Sequence, residues 1–316
     1  MLSTFFRTSS YLRKLSLLSD DSTAINRINQ ASSNLIIHRS STAFISAASD
    51  NHYRELRAAI ASVQQVWGTN ASIIASNDHH HDHSRPTIIV YDLGLTASQI
   101  RELNTLCDVE LRRFEFADWP TNVRLLLTYR WKAIIWAKSM HEFPHGFWWM
   151  DSSVRWLDRN VERFYKRIER REMSPIMLCE YAGHGNFPVT HPGMYRFLAT
   201  DIPRTMQTDM FGANLAFIVK GELTIEILKW LVLCALTEAC IYPAANIRLH
   251  CRFPSNDRKS QYANCHRFDQ SAINILLANQ FHFDVTKYTV GRRMTFATVQ
   301  RETGAPEGAL RVCGDQ

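Results

Sequence analysis

From Thr42 onward the chain alternates short apolar runs with longer stretches of helical period. Thr42 to Ala48 is a β-like run that ends in the polar Ser49-Asp50-Asn51-His52. Tyr53 to Trp67 then places Leu56, Ala59, Ile60, Val63 and Trp67 at helical spacing. A weak strand is predicted at Ser72 to Ala75 and a strong one at Thr87 to Tyr91, closing on Asp92-Leu93-Gly94-Leu95. Thr96 starts the next helix, and Gln99 three residues on completes a capping box. That helix ends near Cys107, and Val109 to Phe116 supplies another strand. Leu125 to Met140 is helical by pattern, with Leu127, Trp131, Ile134 and Ile135 on one face. Phe147-Trp148-Trp149-Met150 leaves no position for a solvated side, which suits a strand buried on both faces.

The second half is more mixed. Strands are predicted at Ile176 to Cys179 and Asn214 to Val219, separated by a polar loop that begins Glu180 to Asn186. Helices follow near Leu223 to Ala239 and Gln270 to Asn279, then a strand-like piece at Phe281 to Val285. Strand and helix alternate through the first half, so the fold class is α/β: one Rossmann-like domain with a mixed, mostly parallel sheet and helices on both faces. Its expected span is 41–295, preceded by a poorly ordered extension (1–40) and followed by a tail (296–316).

Composition narrows the function classes. Hydrophobic residues make up 46% and charged residues 21%, the balance of a globular enzyme. A net charge of +6 favours an anionic ligand such as a nucleotide diphosphate. No basic stripe with interleaved aromatics is present, so nucleic acid is not an expected partner. Residues 1–19 carry Arg7, Arg13 and Lys14 and no acid, like a mitochondrial presequence, and contain no apolar stretch long enough for a signal-anchor. Leu223 to Ala245 includes Glu226, Lys229 and Glu238 and reads as a buried helix, so no transmembrane segment is expected.

The 7 cysteines include no Cys-x-x-Cys pair, which argues against structural zinc, and their spacing does not resemble a disulfide framework. Cys251 and Cys265 flank a polar loop and are either bridged or free thiols. The run His79 to His83 lacks ligand spacing and reads as low-complexity filler. Asn70-Ala71-Ser72 is an acceptor triplet for glycosylation.

The chemistry centres on Asp151, which follows the apolar run directly and precedes Ser152-Ser153. At the carboxyl edge of an α/β sheet, where ligands bind, such an acid can face a diphosphate or its metal. The plainer reading is an aspartate capping a turn. Asp92, at the end of a second strand and before Leu-Gly, is favoured as a turn-forming aspartate. Trp148, Trp149 and Trp156 flank the acid, and one or two of them can stack on a sugar or base. Asp269 stands just before the helical Ala272 to Leu277 and reads from its neighbours as an N-cap.

Five phrases in fixed order carry a resemblance. They are Phe44 to His52, Ile89 to Leu95, Tyr129-Arg130-Trp131-Lys132, Trp149 to Val154, and Arg267-Phe268-Asp269-Gln270-Ser271-Ala272. Together they resemble a nematode-rich metazoan family of uncharacterised proteins, domain of unknown function 1647, across residues 42–290. The resemblance implies the nucleotide-diphospho-sugar transferase (glycosyltransferase A-type) fold. It implies a glycosyltransferase, moving sugar from a nucleotide-diphosphate donor to a hydroxyl on a glycan, protein or lipid, and a Golgi or secretory lumen.

Carried across residue by residue, Asp151 and Asp269 are the catalytic candidates, with Asp151 also the metal candidate. Ser46, Asp50, Asp92, Lys132, Ser153 and Gln270 are the donor-binding candidates. The chain departs from Asp-x-Asp, because Ser153 stands at the third position. A single carboxylate is a poor shell for Mn2+ or Mg2+, which want several oxygens. The incomplete motif equally suits a catalytically silent sugar- or nucleotide-binding module of the same fold.

Overall fold

The computed structural model describes residues 2–18, 35–39, 42–68, 86–245 and 247–313. The strand expected at 72–75, the histidine run and the Asn70 triplet lie outside the described residues.

In chain order the elements are α1 (Leu2–Lys14), β1 (Ala43–Ala48), α2 (Tyr53–Trp67), β2 (Thr87–Asp92), α3 (Ala97–Leu103) and β3 (Val109–Arg113). Next come α4 (Arg130–Glu142), β4 (Phe147–Met150), β5 (Val154–Trp156), α5 (Glu162–Glu169), β6 (Ile176–Leu178) and β7 (Tyr181–Gly185). The last are α6 (Ile202–Gln207), β8 (Asp209–Phe211), β9 (Leu215–Ile218), α7 (Glu222–Leu236), α8 (Glu238–Ile241), α9 (Phe268–Gln280) and β10 (Ala297–Val299).

Six strands form one mixed sheet in the order β3-β2-β1-β4-β9-β6. The first four are parallel, and β9 runs antiparallel to both β4 and β6. Small antiparallel pairs, β5 with β10 and β7 with β8, stand beside it. Alternation along the strands divides the core in two. Phe147 and Trp149 point to the face covered by α4, α7 and α9, and Trp148 and Met150 to the face covered by α2, α3 and α5. All four are fully buried, each worth about 1.5–3 kcal/mol against exposure. The polar-free run is therefore a strand sandwiched by both helix layers.

The chain steps outward from β1 through β2 to β3, then α4 carries it back to place β4 on the other side of β1. That reversal opens a crevice beyond the carboxyl ends of β1 and β4, the position where open α/β sheets bind ligands.

Several boundaries differ from the sequence reading. The segment expected to be poorly ordered contains α1, and Leu12, Leu15 and Leu17 are buried in the core beside α7. The tail is also packed: β10 pairs with β5, and Cys107 bonds to Cys313. Phe281 to Val285 is not a strand, because His282 and Phe283 adopt left-handed φ of 50° and 66° that end α9 in a turn. Glu180 to Asn186 is no free loop, because β7 pairs with β8 there. Two further disulfides, Cys234–Cys240 and Cys251–Cys265, make a framework that the spacing did not suggest, and Cys179 is a buried free thiol. Cys107 and Cys313 stand 206 residues apart in the chain, so their approach is a property of the fold alone.

Among the described residues no helix is long and apolar enough to cross a membrane.

Candidate active site

Asp151 extends the sheet by one rung, its N–H donating to Asn214 O at 2.7 Å, before the chain turns through Ser152 and Ser153 into β5. Its carboxylate accepts from the Trp149 indole at 2.8 Å and meets Lys132 Nζ at 3.0 Å. Lys132 lies in the first turn of α4. The residue that starts that helix, Tyr129, has a left-handed φ of 55°, which folds its ring back over the ammonium at 5.1 Å. The same ammonium lies 2.9 Å from Asp269 Oδ2 and donates to Ala213 O at 3.2 Å.

Asp269 sits in the first turn of α9, where the helix dipole favours an anion. Arg267, not Asp269, is the N-cap of that helix. The Asp269 carboxylate meets Lys132 and lines the recess. Burial alone would lower the Lys132 pKa, and the two carboxylates outweigh it and hold the ammonium above its ordinary range. Burial pushes the Asp269 carboxyl up against the pull of Lys132. Two acids and one base thus share a water-poor point at the floor of the crevice.

Above this floor is a cleft of about 580 Å3, with a smaller recess of about 100 Å3 continuous with it through Tyr129, Asp151, Asn214, Arg267 and Arg301. The larger volume is within the range that holds a small-molecule ligand. Ser49 and Asn51 line one wall from the end of β1, and Ser152 and Ser153 another from the end of β4. Glu55 pins the outer segment. It accepts from Glu302 N at 2.6 Å and from Ser152 Oγ at 3.3 Å, which fixes the neighbour Arg301 over the opening.

The sequence candidates separate. Asp151, Asp269, Lys132, Ser153 and Gln270 all line the cleft or its recess. Ser46 does not: it is fully buried within β1, and its Oγ has no hydrogen-bond partner among the described residues. Asp50 is exposed and accepts from Gln99 Nε2 at 2.6 Å, bridging to α3. Asp92 accepts on Oδ1 from the N–H groups of Gly94 and Leu95, each at 2.7 Å, which closes its own turn, and it lines neither cavity. Trp148, Trp149 and Trp156 are all core. The Tyr and Trp rings that do reach the cleft are those of Tyr129 and Trp131.

Three groups escaped the sequence reading. Glu180, just after β6, lines the recess, accepts from Asn214 Nδ2, and has its pKa raised by burial. Arg267 and Arg301 line both cavities. Arg267 stands inside a quoted phrase and was the legible one, whereas Arg301 lies in the expected tail. Arg130, in the same phrase as Lys132, is structural: buried, it donates to Ala235 O at 2.7 Å and to Glu238 O at 3.3 Å, satisfying the end of α7.

The residues present do not suit a divalent metal. Mn2+ and Mg2+ need several oxygens converging on one point. Here the two carboxylates converge on the Lys132 ammonium instead, and among the described residues no group of three His, Cys, Asp or Glu side chains is arranged to hold an ion.

A family model described as "Protein of unknown function (DUF1647)" matches residues 7–137, which includes Lys132 and stops short of Asp151 and Asp269. No curated protein matches the chain. Among solved structures it is similar to the galactosyltransferase LgtC in complex with donor and acceptor sugar analogs, at 11% identity over 82% of this chain and 87% of that one, TM-score 0.43. Mouse xyloside xylosyltransferase 1, apo form, aligns at 11% identity over 81% and 84%, TM-score 0.39. Core-mannan synthase A from Aspergillus fumigatus, Mn/GDP form, aligns at 13% over 61% and 64%, TM-score 0.36.

Proposed function

We propose that the protein is a glycosyltransferase, moving a sugar from a nucleotide-diphosphate donor to a hydroxyl acceptor in this cleft. The observation that carries the reading is the charge order at the crevice. A cation-bound pair of aspartates forms the floor, and two arginines line the opening above it.

In the reaction the bond from the anomeric carbon to the diphosphate oxygen breaks, and its electron pair leaves on the diphosphate. The acceptor oxygen bonds to the anomeric carbon and gives up its proton. Asp151 and Asp269, held by Lys132, position the donor sugar and acceptor and stabilise positive charge developing on the ring. Glu180 is the carboxyl suited to take the acceptor proton, since burial raises its pKa toward working pH. Tyr129 and Trp131 offer aromatic surface for a base or sugar.

A second reading is a binding module without turnover. It is favoured by the engagement of both aspartates with Lys132, which leaves Glu180 alone to act as base. Three cysteine pairs at bonding distance support assembly in an oxidising compartment such as the secretory lumen.

The test is a thermal-shift and transfer screen with UDP, GDP and their sugars. Stabilisation by one nucleotide together with sugar release or transfer supports the enzyme. Stabilisation without any release or transfer across an acceptor panel favours the silent module. No stabilisation by any nucleotide removes both.

A further inference from the structure

The poor fit to a divalent metal has a positive counterpart. The Lys132 ammonium donates to Asp151 Oδ2 at 3.3 Å and to Ala213 O at 3.2 Å, and it pairs ionically with Asp151 Oδ1 at 3.0 Å and Asp269 Oδ2 at 2.9 Å. The rings of Tyr129, Trp149 and Trp131 surround it at 5.1, 5.5 and 6.0 Å. Only 4% of the side chain is exposed. A cation is therefore built into the point that both aspartates face, and it is tethered by its own helix. An incoming metal ion would meet this ammonium at the one point where the two carboxylates converge.

Two other cations at the same cleft are not consumed in this way. Arg301 forms no side-chain hydrogen bond or salt bridge among the described residues, its charge facing Glu180 and Tyr129 only at longer range, and Arg267 Nε is buried without a hydrogen-bond partner. Guanidinium groups keep their charge at any working pH and present a planar fork of donors that matches phosphate oxygens.

We propose that the site neutralises a nucleoside diphosphate with side-chain cations alone. Lys132 holds the two aspartates in place as a positioning residue, Arg267 and Arg301 receive the phosphate oxygens, and no divalent metal is required. The proposal rests on the transferase reading of the same cleft and specifies how the leaving diphosphate is stabilised.

The test is titration of the full chain with UDP and GDP, in EDTA and again in manganese. Binding of one nucleotide is expected with the same dissociation constant, within about twofold, in both. Arg301→Gln, an exposed position, is expected to weaken that binding roughly tenfold while leaving the unfolding midpoint unchanged, as loss of one charge-assisted phosphate contact implies. In Lys132→Ala the vacated aspartates become open to an ion, so manganese is expected to raise the Tm of this variant but not of the natural protein.

Binding that appears only with manganese overturns the proposal and leaves the transferase reading standing. So does an Arg301→Gln protein that binds normally. No binding of any nucleoside diphosphate, with or without metal, removes the transferase reading and this proposal together. Should Lys132→Ala fail to fold, the EDTA comparison and Arg301→Gln decide the matter without it.

Discussion

Lys132 Nζ and Asp269 Oδ2 lie 2.9 Å apart, joining the first turn of one helix to the first turn of another across the crevice. Neither side chain has much access to water, so the energetics of the pair are those of a buried ionic cluster rather than a surface salt bridge. Lys132→Ala is expected to cost about 3–5 kcal/mol, because it leaves two carboxylates without their cation. Replacing all three together (Lys132→Met, Asp151→Asn, Asp269→Asn) is expected to recover much of that loss. Urea denaturation of the single and triple variants measures both. A triple variant no more stable than Lys132→Ala would refute the account.

Glu180 is assigned to the acceptor proton. Glu180→Gln is expected to lower the transfer rate by about 10²–10⁴, the usual contribution of a general base, with donor affinity nearly unchanged. Single-turnover kinetics beside a binding titration separates the two. An equal loss in donor binding would show that Glu180 holds the donor instead.

His266 provides a pH signature. It is fully buried, its Nδ1 accepts the His191 backbone N–H at 3.1 Å, and burial drops its pKa from 6.5 to about 3. A depressed folded-state pKa gives stability that is complete above the unfolded value of 6.5 and is lost as pH falls toward 3. Each pH unit across that window costs up to about 1.4 kcal/mol. Urea midpoints measured from pH 7 down to pH 4 are expected to fall less steeply in His266→Gln. Parallel curves for the two proteins would remove His266 as the cause.

Gly146 immediately precedes β4 with a φ of 121°, and a Cβ there would lie 2.5 Å from Phe217 Cζ. Gly146→Ala is expected to destabilise by about 1–3 kcal/mol from overpacking, in addition to backbone strain. Gly94 has a similar φ of 128° and no atom within 4 Å of its Cβ position, so Gly94→Ala carries the strain alone. Thermal unfolding of the two variants checks the difference. Equal losses would mean that Phe217 yields freely.

The cysteine pairs predict a thiol count. Native protein made in an oxidising compartment is expected to show no reactive thiol, and denatured protein one, the buried Cys179. Alkylation followed by mass measurement reads this directly. Labelling at Cys107 or Cys313 in the native state would show the tail to be unanchored.

Much of the frame was legible along the chain. Tyr53–Trp67 forms a helix over the span that its apolar spacing gives, and Thr96 with Gln99 forms the capping box. Both depend on residues three or four apart, and that is the range over which periodicity and capping act. The elements missed or misplaced depend on partners far away. β7 exists because β8 lies beside it, and β10 because β5 does. Leu12, Leu15 and Leu17 read as part of a loose extension until α7 supplies the surface that buries them.

The candidate site divides along the same line. The sequence by itself determined that a strand without polar positions ends in Asp151, and that Asp269 opens a late helix, since each follows from its immediate neighbours. Only the tertiary structure decided that both acids close on Lys132, that Ser46 is sealed inside a strand, that Asp92 closes its own turn, and that Arg301 reaches the cleft. The reason is physical. A local pattern fixes which face of an element is apolar, but the partner of a buried charge is set by how the elements pack, and that packing joins residues with no relation in sequence.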